Sequence, residues 1–411
     1  MRMVLLGIGL ACAIITPAHA QDDTTDIFVE KAQGAMLDIT MDAEGQLSGP
    51  GFERLLDDAT DAQFFLIGEQ HAARDIALAQ ASLQRALAAD GYDYFVVEIG
   101  PWAAAHAEAA IRSSPGGLRD YIQTPGQQFV LPFLYFEEEA ALVEQAVSLS
   151  PKEEHVLWGV DQIFVGSGPV VLNALRPLAR TQEQRAAVDA FARGVSSNFM
   201  YVGAAPDPAI EALLAAFGED TGEGRKLTEA LALTHRIYGP FIRGTGTAYE
   251  ANLARENYMK ANFLEHFRAA EARDGTPPKA VFRFGANHMA RGRSSTDVPS
   301  LGDFATEWGR SRDFRVVNVM FDCLGGEIYA IQPGGPAPCE SEVLQPGSPL
   351  RRAIGDARTA LLDLRALRPS VARMKDLDPA TRDLVFAYDY YLTIRDVTPQ
   401  TPLADLTLPG S

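Results

Sequence analysis

Phe64-Phe65-Leu66-Ile67-Gly68-Glu69-Gln70-His71 and Ala280-Val281-Phe282-Arg283-Phe284-Gly285-Ala286-Asn287-His288 each pass from an apolar run into the pattern G-x-x-H. Short aromatic and β-branched runs that end at glycine read as buried strands. Both histidines therefore stand just past a strand end, 217 positions apart in the chain. The recurrence points to one site assembled from two distant strands.

Working outward from these stretches, strands alternate with helices. Phe64–Ile67 leads into the helical spacing Ile76, Ala79, Leu83, Leu87. Tyr94–Ile99 and His155–Val160 then supply two further strand-like runs, and Ala280–Phe284 and Phe314–Phe321 follow later in the chain. Alternation of this kind is the signature of βαβ units and a parallel sheet. Between about residues 166 and 266 the apolar spacing is helical, interrupted by Gly and Pro, and reads as a helical insertion. The Pro- and Gly-rich stretch Pro333–Pro349 reads as a linker, and Leu350–Leu367 as a helix. The expected fold is thus α/β, a mainly parallel sheet flanked by helices with a helical insertion. Residues 21–332 would form the main domain, and 333–411 a linker with a C-terminal helical segment.

The carboxyl ends of these strands collect the polar residues. Glu69 and His71 follow the first, Glu98 nearly ends the second, Asp161 and Gln162 follow the third, and Asn287 and His288 follow the fourth. Open α/β sheets bind ligands along that edge. Any one position also fits a loop or a helix cap, but acid or histidine residues at four strand ends along one edge point to a common site. On the helix around Tyr249–Phe267, Arg255, Met259, Asn262 and His266 fall at i, i+4, i+7 and i+11, one stripe. An arginine on a half-buried stripe needs a partner, either a carboxylate in a structural salt bridge or an anionic ligand.

The first twenty residues read as a signal peptide: Arg2, an apolar run from Met3 to Thr16, and Ala18-His19-Ala20 before a cleavage near Ala20. Cys12 lies within that run, but Gly9-Leu10-Ala11 is a poor lipobox. A periplasmic or secreted location is expected, and no later run approaches the length of a membrane span. Loss of Arg2 takes the net charge from −18 to −19. An acidic surface argues against nucleic acid as a partner, because its recognition needs clustered Lys and Arg. The expected partner is a small-molecule substrate or ligand, and the sequence is silent on oligomeric state. Cys323 and Cys339, destined for an oxidising compartment, are expected to pair.

Five segments also carry a resemblance: Ile67-Gly68-Glu69-Gln70-His71, Val97-Glu98-Ile99-Gly100-Pro101-Trp102, Gly159-Val160-Asp161-Gln162, Arg255-Glu256-Asn257-Tyr258-Met259-Lys260-Ala261-Asn262 and Gly285-Ala286-Asn287-His288. Together with Pro132-Phe133-Leu134-Tyr135-Phe136-Glu137, and in this order, they resemble the erythromycin esterase and ChaN-like superfamily, which includes the Tiki metalloproteases. The resemblance spans roughly residues 60–325. For the esterase branch it implies hydrolysis of an ester or lactone without a metal. His71 would be the general base on water, Glu69 or Glu98 its orienting partner, and Arg255 with His288 the oxyanion stabilisers. Asp161, Gln162 and Asn287 would face the substrate. A neutral imidazole suits a base because its unperturbed pKa lies near 6.5.

The chain departs from the esterase pattern at two points. Esterases of this family usually carry one more residue between the Glu and the His of the first motif, and a second histidine three positions before the last, where this chain has Gly285. The shorter motif, with Arg291, Val298-Pro299 and Leu301, looks more like the ChaN branch, which implies haem binding. The Tiki branch would make His71, Glu98 and His288 ligands of a divalent metal. The reading adopted is a hydrolase with no cofactor assigned and no metal ligand, with haem binding or metal-dependent peptidase activity as alternatives. No G-x-S-x-G elbow, H-E-x-x-H helix, C-x-x-C pair or Walker loop occurs.

Overall fold

A computed structural model describes residues 18–406 apart from 126, 128, 245–247 and 332–333, with side chains from Thr24 onward. The apolar part of the expected signal peptide, with Cys12, lies outside the described residues. Among the described residues eleven strands are formed: β1 (Met36–Leu37), β2 (Thr40–Met41), β3 (Leu47–Ser48), β4 (Ala62–Glu69), β5 (Tyr94–Val97), β6 (Leu157–Gly159), β7 (Ala280–Gly285), β8 (Arg315–Ala330), β9 (Gly335–Pro338), β10 (Thr359–Asp363) and β11 (Tyr390–Val397). Strands β2 and β3 make a separate hairpin. The rest form one sheet in the order β1-β10-β11-β8-β4-β7-β5-β6, with β9 folded back on β8.

From β11 across to β6 every neighbouring pair is parallel. The carboxyl ends of β4, β5, β6 and β7 consequently lie along one edge. Strand β4 sits at the centre, between β8 and β7, and its alternation divides the core in two. Phe65 and Ile67 pack with Ile76, Ala79, Leu83 and Leu87 of the helix Arg74–Ala89. Phe64 and Leu66 face the opposite layer, where Phe263 and Phe267 of the long helix Ala248–Asp274 meet Phe64 edge-on at 5.5 and 5.8 Å. A sheet buried on both faces explains why its strands read as continuous apolar runs rather than alternating ones.

Between residues 166 and 266 the described residues contain helices and no strand, as expected. The helices up to Arg243 form their own apolar cluster around Val171, Leu175, Phe191, Leu213 and Leu231. The last helix of the stretch differs, since Met259, Phe263 and Phe267 belong to the sheet core. Among the described residues no helix is long and apolar enough to cross a membrane.

Two expectations are corrected. Residues 333–411 are not a linker with a helical appendage: β9 lies in the supposed linker, and β10 and β11 complete the main sheet. The helix expected over Leu350–Leu367 ends at Ile354, because Gly355 turns the chain with φ +59°. Thr359–Asp363 then pairs antiparallel with β11, which itself lies parallel against β8. The apolar residues from Leu350 to Leu364 satisfy either element, and the glycine decides where the helix stops. Strand β8 is also far longer than Phe314–Phe321, because it stays paired with β11 as far as Gly326 and its last residues, Glu327 to Ala330, pair with β9. Cys323 and Cys339 join across that hairpin as a disulfide, with Cα atoms 6.3 Å apart.

Candidate functional site

Parallel register places Glu69, the last residue of β4, beside Gly285, the last residue of β7. His71 and His288 follow within three residues of those ends. Glu98, one residue past β5, lies between them: one carboxylate oxygen is 3.5 Å from His71 Nε2, the other 3.4 Å from His288 Nε2. The two G-x-x-H motifs thus meet on a single carboxylate, as the repeated pattern implies. The far nitrogen of each ring is also held by a carboxylate. His71 Nδ1 is 2.7 Å from Glu69 Oε1, and His288 Nδ1 is 2.6 Å from Glu256 Oε1.

Arg255 closes the cluster. Its Nε and Nη2 donate to the two oxygens of Asp161 at 3.0 and 2.6 Å, and Nη2 also reaches Glu98 at 2.9 Å. The stripe read from the sequence holds the helix against β6: Met259 is fully buried, Asn262 donates to Val160 O, and His266 lies 3.2 Å from Gly159 O. The partner that Arg255 needs is therefore a pair of carboxylates.

Gly285 explains one departure from the esterase pattern. A Cβ built there would lie 2.6 Å from His71 Nε2, so the space that a side chain would need is filled by the first-motif imidazole. The Gly285 N–H donates to Glu98 at 2.7 Å and fixes the shared carboxylate. On its other face, the His71 ring stacks on Phe133 at 4.4 Å. Phe133 adopts φ +65°, a left-handed conformation rare for a bulky residue and a mark of strain at functional sites.

The charges of the cluster are interdependent. Burial alone would depress the His71 pKa, but its hydrogen bonds to Glu69 and Glu98 prevail and raise it to about 10. Its side chain is 32% exposed, so solvent moderates that preference. For His288, burial and the nearby Arg255 push downward, yet Glu98 and Glu256 lift it to about 9. Glu98, although buried, is held well below the usual carboxylate range by the two histidines. The unperturbed value near 6.5 therefore does not apply in this cluster, which favours the imidazolium form of both histidines around Glu98.

Of the residues expected to face substrate, Asp161 is in the cluster as the anchor of Arg255. Gln162 borders it: its Nε2 donates to Tyr238 Oη at 3.2 Å, while its buried Oε1 accepts no hydrogen bond among the described residues. Asn287 is exposed and accepts from Ser295 Oγ at 2.7 Å. Three contributors were not singled out from the sequence. Glu256 lies one residue off the Arg255 stripe, and Phe133 carries no signal beyond its motif. Arg283 was legible as a cation inside the apolar run Ala280–Phe284.

No protein-family model and no curated protein matches the chain. Among solved structures it is similar to a mutant of the erythromycin esterase EreC in its open conformation, with a TM-score of 0.60 and 16% identity over 89% of this chain and 98% of that one. It is likewise similar to a succinoglycan biosynthesis protein, with a TM-score of 0.59 and 16% identity over 92% and 99%. A Bacillus cereus protein aligns over the same shares, with a TM-score of 0.58 and 13% identity. At these identities the likeness speaks to the fold, and this chain has the α/β fold of the erythromycin esterase EreC.

Proposed function

We propose that the chain is an exported hydrolase of the erythromycin esterase-like superfamily, in which water activated at His71 cleaves an ester, lactone or amide. The observation that carries this reading is the Glu98 carboxylate set between two imidazoles, each locked at Nδ1 by its own carboxylate. A carboxylate only accepts, so Glu69 fixes His71 with its proton on Nδ1 and the lone pair of the neutral form on Nε2. That lone pair takes a proton from water as the water oxygen bonds to the substrate carbonyl carbon. The tetrahedral oxyanion is stabilised by the neighbouring Arg255 cation, with an N–H of the His288 ring beside it. On collapse the carbonyl reforms, the bond to the leaving oxygen or nitrogen breaks, and the leaving group takes the proton back from His71.

A metal-dependent reading has less support, because the His71, Glu98 and His288 side chains that would hold a cation are already paired with one another. Glu98 is already engaged by Arg255 and the Gly285 N–H. Haem is not favoured either, since both ring nitrogens of each histidine turn toward carboxylates. The export reading is supported by the Cys323–Cys339 disulfide, which suits an oxidising compartment.

The test is hydrolysis of a panel of activated esters and lactones, with His71→Ala as the control. The expected loss is on the order of 10²-fold or more in kcat. With the His71 pKa raised to about 10, the rising limb of kcat/KM is expected well above the ordinary imidazole value near 6.5, because the base must first lose its proton. Turnover unchanged in His71→Ala would remove the assigned base.

A further inference from the structure

We infer that Arg283 is a positioning residue for His71, acting through Glu69 from beneath the site. Arg283 on β7 is registered with Ile67 of β4. Side chains two residues apart on a strand share a face, so Arg283 reaches Glu69, where Nη2 lies 2.8 Å from Oε2. Glu69 Oε2 is buried and accepts no hydrogen bond among the described residues. The contact is thus an ion pair without hydrogen-bond alignment, and Arg283 supplies the positive charge facing that oxygen. The other Glu69 oxygen holds His71.

Arg283 is itself fixed on three sides. Its two terminal nitrogens bind Glu139 at 2.5 and 2.6 Å, and its Nε donates to Gln80 Oε1 at 2.6 Å. Glu139 in turn accepts from Gln400, beyond β11, and the Gln400 N–H donates to Ala72 O, next to His71. One planar guanidinium therefore ties the helices 74–89 and 137–149 to the base's partner, with the C-terminal segment behind it. Without it, Glu69 and Glu139 would be two buried carboxylates with no intervening cation. Glu69 would then turn or take up a proton, releasing His71 Nδ1. Lysine cannot replace this fork, because its ammonium is a point charge.

The inference rests on the reading of His71 as the base, but its test does not depend on turnover. Proton NMR of the full chain should show downfield imidazole N–H signals for His71 on Glu69 and for His288 on Glu256, assigned with His71→Ala and His288→Gln and so separated from that of His235 on Asp207. In Arg283→Met the His71 signal should be lost to solvent exchange while the His288 signal persists as an internal control of folding. Should Arg283→Met lose both signals by misfolding, Arg283→Lys decides the matter: exchange at His71 rises on the order of tenfold and that at His288 does not change. Where an ester is turned over, kcat in Arg283→Lys should fall on the order of 10- to 10²-fold with KM nearly unchanged. A His71 signal that persists in Arg283→Met, or exchanges at the wild-type rate in Arg283→Lys, overturns the inference. Absence of turnover with the expected NMR pattern would count against the hydrolase reading alone.

Discussion

At the level of single residues, the site depends on side chains meeting in a space with no slack. Gly285 tests this directly, because its φ of −53° is open to any residue and only the missing Cβ makes room for His71. Gly285→Ala is expected to leave the melting temperature nearly unchanged while displacing the imidazole, with kcat reduced on the order of 10²-fold. Wild-type turnover in that variant would show that His71 needs no fixed place. The histidines and Glu98 were legible because they follow strand ends, a position that chain order alone reveals. Glu256 was not, because a buried carboxylate looks like a surface one until its partner is known. The pKa of His71 was illegible for the same reason: it is set by Glu69 and Glu98, and the distances between them exist only in the fold.

Among the elements, the β8–β9 hairpin links the disulfide to the site. Beyond the sheet edge, the Tyr329 N–H of this arm donates to Ala72 O at 3.1 Å, and Ala72 holds φ +65° directly after His71. The disulfide closes a segment with a sequence separation of 16, worth about 3 kcal/mol in the chain-entropy model. Substituting Cys323→Ser with Cys339→Ser should therefore lower unfolding free energy by roughly that amount in denaturant titrations. It should also depress turnover under conditions where the variant is still folded. A fully active folded variant would show that the arm does not hold the His71 loop. The central strands were readable from apolar runs ending in glycine. The C-terminal strands were not: the apolar residues from Leu350 onward suit a helix, and Tyr390–Ile394, a strand-like run, has no partner until β8 is placed beside it.

For the molecule as a whole, the cluster ties stability to pH. His71 and His288 have folded pKa values raised to about 10 and about 9, above the unfolded value near 6.5. The native state thus binds more protons than the unfolded chain between these values. Their stabilisation is fully present below about pH 6.5 and is lost as pH rises through 9 and 10. Glu98 and Glu69 have the opposite sign. Their folded pKa values are lowered, so their contribution holds above about pH 4.5 and is lost only as pH falls through those depressed values. His288 should dominate the alkaline loss, since its side chain is 11% exposed against 32% for His71. The net charge of −18 reinforces the trend, because removing protons from a protein already strongly acidic adds to its self-repulsion. Thermal unfolding is accordingly expected at a higher temperature near pH 6 than near pH 9.5, and His288→Gln, which cannot carry the proton, should flatten that difference. A wild-type melting temperature that does not fall over this interval, or an equal fall in His288→Gln, would show that the site histidines do not carry the extra protons in the native state.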